Sequence, residues 1–340
     1  MKRIIVFVMV VLLGVVSIEA RSSTPLTLRR TMVLSGVTGK FDHFAIDEAG
    51  NRLFAAAPGN HAVEVIDLDT GKVTQSLAGL GKPHGLAWIA ATGSLYVADG
   101  TLGELRMYRG APLALAGTIK LSDDADDMVY DEANRLLFVG HGGGDAANPA
   151  RIAVMDAEHF ILAADLPVAT HPEALGIDPD TRRVFANIAD SNEVVVIDAV
   201  TRAIAMHWKV TKAADNVPIA FDNEHQLIFV ACRNPGLLIA LNADTGKEIA
   251  SESAAGKADD LFYDSKLRRV YLISGSGEVD TFQIDEAKGV HPLGVLRTAD
   301  GAKTALFVPS RNLLYVGVPG SVEQPAEIRV YSTTDPGASR

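Results

Sequence analysis

The sequence feature that most constrains the fold of this chain is a unit that recurs seven times. Each unit carries an apolar residue followed by an aromatic one, and successive pairs lie 42 to 47 residues apart. A period of this length is typical of proteins whose repeats bury their apolar faces against neighbouring repeats. The seven pairs are Leu53-Phe54, Leu95-Tyr96, Leu137-Phe138, Val184-Phe185, Ile228-Phe229, Val270-Tyr271 and Leu314-Tyr315.

The residues around each pair predict four short strands. A polar loop follows the pair, then an alternating segment such as residues 63–67, then a turn such as residues 69–72. A further strand closes most units, as in residues 203–210, and no unit has a sustained helical period. Seven such units predict an all-β protein, a seven-bladed β-propeller in which each sheet packs between two others.

The two ends of the chain predict how the ring closes. The seventh unit ends after Tyr331 without a fourth strand, and residues 27–36 precede the first unit as a spare strand. We expect this N-terminal strand to complete the last blade, which removes the sheet edges of an open repeat array. Residues 21–340 then form a single domain, with blades beginning near residues 42, 83, 125, 171, 215, 258 and 302.

Five aspartates recur at one position of the repeat, six residues before the first member of the pair. A residue that returns in register is expected to serve a turn that every blade needs, so we assign these aspartates to structure and not to a site. They are Asp47, Asp131, Asp178, Asp222 and Asp264.

The Leu-Phe-Val and Leu-Tyr-Val repeats, with turns of the form Val-Ile-Asp-x-x-Thr-Gly-Lys, resemble those of the YVTN or YncE-like seven-bladed propellers. The resemblance covers essentially the whole chain after the leader. It implies the propeller fold and leaves the activity open, because such propellers serve both as binding modules and as enzymes. The second unit departs from the pattern, with Ile89 at the position of the repeat aspartate.

The first twenty residues predict a secretory signal peptide. Lys2 and Arg3 precede an apolar run over residues 4–16, and the small residue Ala20 follows. The run is shorter than the roughly 20 residues that span a bilayer. We expect cleavage near Ala20, a periplasmic or secreted product, and no membrane association after cleavage.

Composition limits the partners. The net charge of -11 and the absence of a concentrated basic stripe argue against nucleic acid as a partner. The single cysteine, Cys232, leaves no internal disulfide, so the core must hold the fold. A monomer is the default expectation.

A polar ring is expected where the innermost strand of each blade begins. Positions five and four before the repeat aspartate are far more polar than the strands that follow them, and loops after the aromatic pairs reach the same mouth of the channel. The candidate ligand-binding residues are His43, His84, Asp126, Asp127, His171, Glu173, Asn216, Arg233, Asp259, Asp260 and Lys303.

Three histidines of this ring suggest a metal. His43, His84 and His171 come from three blades, and imidazole with nearby carboxylates is a common ligand set for divalent transition metals. Each histidine could instead have only a hydrogen-bonded structural role. The acidic pairs have a similar alternative, since carboxylates there could accept backbone N–H bonds from the next blade.

Two functions remain open from the sequence. The first is an exported binding module that holds a small polar ligand, a metal ion or a partner protein at the His/Asp mouth. The alternative is a metal-dependent hydrolase or lyase acting on a lactone, a sugar acid or a similar anion. In that case Arg233 and Lys303 hold the substrate carboxylate, and Asp126 or Glu173 carries the proton. Electron transfer has little support, because no Cys-x-x-Cys-His motif is present.

Overall fold

A computed structural model describes residues 25–334. These residues form seven antiparallel sheets of four strands each, arranged as a seven-bladed β-propeller, which confirms the predicted fold. The predicted signal peptide, residues 1–20, lies outside the described residues and stays a prediction. No helix within residues 25–334 is long and apolar enough to cross a membrane.

The strands of each blade fall into four layers from the channel outward. The inner strands are β2 (Phe44–Asp47), β6 (Pro83–Ile89), β10 (Met128–Asp131), β14 (Pro172–Asp178), β18 (Ala214–Asp222), β22 (Ala258–Asp264) and β26 (Ala305–Val308). The second strands are β3 (Arg52–Ala57), β7 (Ser94–Asp99), β11 (Leu136–His141), β15 (Arg183–Ile188), β19 (Leu227–Asn234), β23 (Arg269–Ser274) and β27 (Leu313–Val318). The third strands are β4 (Ala62–Asp67), β8 (Glu104–Arg109), β12 (Arg151–Asp156), β16 (Glu193–Asp198), β20 (Gly236–Asn242), β24 (Glu278–Ile284) and β28 (Ala326–Ser332). The outer strands are β5 (Val73–Ala78), β9 (Ala114–Lys120), β13 (Ile161–Pro167), β17 (Ala203–Lys209), β21 (Glu248–Ser253), β25 (Val290–Arg297) and β1 (Thr27–Leu34).

The apolar-aromatic pairs lie in the second strands, where both faces of the sheet are covered. Phe54, Tyr96 and Phe138 are completely buried, as are Phe185 and Phe229. Within residues 25–334 the buried apolar side chains form seven clusters, and each cluster combines two adjacent blades. The core is therefore a ring of interfaces between blades, and burying this apolar surface is the main stabilising force.

The ring closes through the N-terminal strand, as predicted. Strand β1 pairs antiparallel with β28, from Thr27 opposite Ser332 to Leu34 opposite Ala326. Met32 packs with the first and last blades in one cluster. The outer strand of the last blade is thus supplied by the opposite end of the chain.

The repeat aspartates are turn residues, as predicted. Asp178 accepts backbone N–H bonds from Asp180 and Thr181 just after β14. Asp222 accepts the corresponding bonds from Glu224 and His225. These carboxylates satisfy the N–H groups of the turn between the inner and second strands, at the face opposite the predicted site.

Candidate functional site

The inner strands begin at one mouth of the channel, and a cavity of about 310 Å³ lies there. Adjacent inner strands contact one another around the ring, so residues at their N-terminal ends converge although 40 or more residues separate them in sequence. The cavity is lined by Lys40, Phe41, Asp42, His43, Pro58, Lys82, His84, Asp126, Glu173, Val217, Asp259 and Lys303.

His43 stands among carboxylates from three blades. Its Nε2 atom lies 3.7 Å from Asp42 Oδ1 and 3.9 Å from Asp126 Oδ1, and its Nδ1 atom lies 3.6 Å from Asp260 Oδ1. Burial alone would lower the pKa of His43. The negative charges of Asp260, Asp127, Asp42 and Asp126 outweigh burial and raise the pKa to about 10. The site thus strongly favours a positive charge at this position.

Asp126 has an oxygen atom without a partner. Its Oδ1 atom is buried and makes no hydrogen bond with any described residue. The same atom lies 3.4 Å from His84 Nδ1, which bonds Asp42 instead, and 3.9 Å from His43 Nε2; both distances exceed those of ordinary N–H···O hydrogen bonds. Burial would raise the pKa of Asp126, but His171, His84 and His43 outweigh burial and lower it. The carboxylate is therefore held in its charged form, with its buried Oδ1 atom facing two imidazoles.

His84 positions the Asp42 carboxylate. The Nδ1 atom of His84 lies 2.9 Å from Asp42 Oδ2, a hydrogen-bond distance. This bond and the charges of His43 and Lys303 overcome burial and hold the pKa of Asp42 well below its usual range. The ring of His84 lies against Gly100, where an added Cβ atom would stand 2.9 Å from His84 Nε2. Glycine is therefore needed at this position to leave the ring in place.

His171 contacts the site from the next blade. Its Nδ1–H donates to the carbonyl oxygen of Gly142 at 3.0 Å, and its Nε2 atom faces Asp126 Oδ2 at 3.7 Å. Burial would lower the pKa of His171. The interactions with Asp126, the Gly142 carbonyl and Asp124 raise the pKa to about 9. His171 thus interacts with the site through the second oxygen of Asp126.

One group of side chains offers metal ligands. Ligand atoms of Asp42, His43 and Asp126 all lie within 4.8 Å of one another, the one such group of three within residues 25–334. Ligands bound tetrahedrally at about 2.1 Å stand roughly 3.4 Å apart, so small side-chain shifts would suit a metal ion. The three histidines expected as ligands do not form one group. Only His43 belongs to it, while His84 and His171 contact its aspartates.

Two other predicted site carboxylates tie blades together. Asp127 Oδ2 accepts the N–H of Leu175 at 2.8 Å, and Asp260 Oδ2 accepts the N–H of Ala305 at 2.7 Å. Burial raises the pKa of Asp127, and it raises that of Asp260 to about 7. These residues contribute charge to the site and also connect neighbouring inner strands, which was the structural alternative expected for the acidic pairs.

Asp259 holds two cations. It accepts hydrogen bonds from Arg233 Nη2 at 2.6 Å and from Lys303 Nζ at 2.5 Å. The Arg233 Nε–H also donates to the carbonyl oxygen of Ala258 at 2.7 Å. Asp259 and Lys303 line the cavity, and Arg233 lines an adjoining one. Glu173 lines the first cavity as well, and burial raises its pKa.

Asn216 does not line the cavity, although the ring pattern had placed it among the candidate ligand-binding residues. Its side chain is completely buried, and its Nδ2 atom donates to Asn187 Oδ1 and to the Glu193 carbonyl oxygen, both at 3.0 Å. The residue joins the fourth and fifth blades below the mouth. The alignment places an asparagine near the ring but does not show which way its side chain points.

Three charged lining residues were absent from the candidate set, namely Asp42, Lys82 and Lys40. Asp42 belongs to the aligned ring position, so its recurrence was a usable signal. Lys82 lies two residues before His84 in the loop that leads to β6. Lys40 lies two residues before Asp42 in the segment that leads to β2, so it has the same repeat position as Lys82, and this recurrence was a usable signal too.

Comparison with known proteins supports the architecture. No protein-family model and no curated protein matches the chain. A chain in the crystal structure of the mitotic checkpoint complex superposes with a TM-score of 0.76 at 14% identity, over 98% of this chain and 99% of that one. A chain of Kuenenia stuttgartiensis hydrazine synthase superposes with a TM-score of 0.73 at 16% identity, over 84% of this chain and 94% of that one. At these identities the likeness shows the fold alone.

Proposed function

We propose that this protein is a binding propeller that holds a divalent transition metal at the mouth of its channel, through Asp42, His43 and Asp126. The observation that carries the proposal is the buried Asp126 Oδ1 atom, which no described residue hydrogen-bonds and which lies 3.9 Å from His43 Nε2. A buried ionised oxygen without a hydrogen bond is costly. His43 and His84 lie near this oxygen without hydrogen-bonding it, and a metal ion would bond it directly once His43 gives up its proton.

The surroundings of the three residues support a metal in a second way. His84 donates to Asp42, as a hydrogen bond to a metal-ligating carboxylate commonly does. Imidazole with two carboxylates suits zinc, iron or manganese better than calcium, which prefers six or more oxygen ligands. Three protein ligands also leave a coordination position for a further molecule.

The test is metal binding by the protein without a histidine tag. We expect elemental analysis to find about one zinc per chain after loading and dialysis, and isothermal titration to give a single site. Asp126→Asn keeps the shape of the side chain and removes the charge, and His43→Ala removes the imidazole. Each should weaken zinc binding at least about tenfold, since one replaces an anionic ligand by a neutral one and the other removes a ligand.

The matched control is Asp123→Asn, an exposed aspartate three residues away on the same face. It should bind zinc as the unmodified protein does. Circular dichroism and thermal melting establish that all three variants are folded. Equal zinc affinity in a folded Asp126→Asn variant, or no metal at all in the unmodified protein, would overturn the proposal.

A second candidate function is a metal-dependent hydrolase or lyase for a small anion. Glu173 favours it, because this carboxyl lines the same cavity and burial raises its pKa, as a general acid requires. Zinc-loaded protein should then open a lactone substrate, and Glu173→Gln should abolish turnover while leaving zinc bound. Loss of zinc from Glu173→Gln would remove the case for this role.

We also propose that the chain is exported and that it belongs with the YVTN or YncE-like propellers. The motifs of the leader support the first and the repeat motifs support the second. Expression of the full chain in a bacterium, followed by intact-mass measurement of periplasmic protein, should show a new N-terminus near Ala20. Full-length protein retained in the cytoplasm would contradict export.

A further inference from the structure

A second cavity of about 470 Å³ adjoins the first at the mouth of the channel. The two cavities share Lys40, Asp259 and Lys303 as lining residues. Four cations line the second cavity, and we call them the basic wall. They are Lys40, Arg233, Lys257 and Lys303.

The basic wall contains two cations that are held in place. Arg233 and Lys303 both donate to Asp259, one to each carboxylate oxygen, at 2.6 and 2.5 Å. A guanidinium has five N–H donors, and these contacts use only its Nε and Nη2 atoms. The Nη1 atom of Arg233 and further N–H groups of Lys303 make no hydrogen bond within residues 25–334. Asp259 thus orients two cations that keep donors for a ligand.

The other two cations are exposed and unpaired. Lys40 and Lys257 form no salt bridge with any carboxylate in the described part of the chain, and Lys82 beside the first cavity forms none either. The second cavity contains two carboxylates, Asp259 and Asp300, against the four cations. In a chain of net charge -11 this is a local excess of positive charge, which attracts anions.

We propose that the two cavities together bind a small dianion, with one anionic end on the metal at Asp42, His43 and Asp126 and the other on the basic wall. The inference rests on the proposed metal site, which leaves a coordination position for an outside ligand. Lys40, Asp259 and Lys303 line both cavities, so the two cavities adjoin. The combined space is within the range of small-molecule sites.

The anionic groups can be carboxylates or phosphates, since both accept bonds from Arg and Lys. Succinate serves as the dicarboxylate probe, and acetate serves as the probe with a single carboxylate. We expect equilibrium dialysis at low salt to show that zinc-loaded protein binds succinate more tightly than acetate. In a separate experiment, inorganic phosphate is added as a competitor of bound succinate. If phosphate displaces succinate at a concentration similar to that of succinate, the result supports a phosphate-bearing ligand. If phosphate displaces succinate only weakly, the result supports a dicarboxylate.

The variant that tests the basic wall is Lys40→Gln with Lys257→Gln. Both side chains are exposed and unpaired, so the fold should be unaffected. Removing two charges should weaken succinate binding about tenfold, while zinc affinity should not fall, because both lysines repel a cation. The charge-matched control is Lys72→Gln with Lys247→Gln, two exposed lysines in turns on the opposite face. The control variant should bind succinate as the unmodified protein does.

The result that overturns this inference is distinct from failure of the metal site. Zinc affinity is measured first on the same samples, and absence of zinc binding would refute the proposed function itself. If zinc binds, then succinate affinity that is equal with and without zinc, or equal in the Lys40→Gln/Lys257→Gln variant, overturns the bridging dianion.

Discussion

Aspartates at the two ends of the inner strands have different surroundings. At the C-terminal end, Asp178 is buried and accepts bonds from the Thr181 hydroxyl, two backbone N–H groups and Arg183. Burial alone would raise the pKa of Asp178, but these bonds outweigh burial and lower it. At the N-terminal end, Asp126 has an oxygen with no hydrogen-bond partner among the described residues. The first kind of aspartate stabilises a turn, and the second is available to a ligand.

Asp178→Asn tests the structural kind. We expect the variant to lose about 2 kcal/mol of unfolding free energy at pH 7, because bonds to a charged carboxylate are replaced by weaker ones. The folded-state pKa lies below the unfolded value of about 3.9, so this stabilisation is present above that value and is lost as pH falls through the folded-state pKa. Urea unfolding at several pH values measures both effects.

The control for this prediction is Asp190→Asn, an exposed aspartate in the loop after β15. It should change the unfolding free energy by less than about 0.5 kcal/mol at any pH. A difference between Asp178→Asn and the unmodified protein that stayed constant down to pH 2 would show that ionisation of Asp178 is not the cause.

Strand β1, the first strand of the described residues, completes the last blade and has one buried and one exposed face. Met32 and Leu34 are buried, whereas Thr31 and Val33 between and beside them are exposed. This alternation with a period of two is what an outer strand needs when one face packs on the next blade. Closure of the ring therefore depends on the few buried side chains of this eight-residue strand, chiefly Met32 and Leu34.

Met32→Asp should weaken this closure. It places a charge in the apolar cluster between the last and first blades, and we expect a loss of at least about 3 kcal/mol of unfolding free energy. Thr31→Asp, at the adjacent exposed position, introduces the same charge and should cost less than about 1 kcal/mol. Chemical denaturation monitored by circular dichroism compares the two. Equal losses would mean that β1 does not pack as described.

Residues 25–334 form a ring of seven interfaces between blades, in which no blade is terminal. Each apolar cluster joins two neighbouring blades, and β1 joins the last blade to the first. An open repeat array can lose its terminal repeats separately, because each repeat contacts only its neighbours. In a closed ring, opening one interface removes support from the blades on both sides of it. We therefore expect the blades to unfold together.

The two tryptophans can test this cooperativity. Trp88 lies in the second blade and Trp208 in the fourth, so the single-tryptophan variants Trp208→Phe and Trp88→Phe report on different parts of the ring. Within each variant, tryptophan fluorescence and circular dichroism should give the same urea midpoint. Met32→Asp should lower both midpoints, although neither tryptophan belongs to its cluster. A fluorescence midpoint separated from the circular dichroism midpoint would indicate blades that unfold independently.

Much of the architecture follows from the sequence alone. The spacing of the aromatic pairs predicts seven blades, and the spare segment at residues 27–36 predicts the closing strand, because every blade needs the same buried pair and the same number of strands. The repeat aspartates are identified as turn residues for the same reason. Periodic sequence patterns record local requirements that each repeat meets independently.

The chemistry of the mouth depended on the tertiary structure. The sequence predicts which residues approach the channel, but a position in the ring does not give the direction of its side chain. Asp42, His43 and Asp126 form one group only because their side chains point to a common centre, while Asn216 turns into an interface between blades. These side-chain contacts join residues that are far apart in the chain, so no local sequence pattern predicts them.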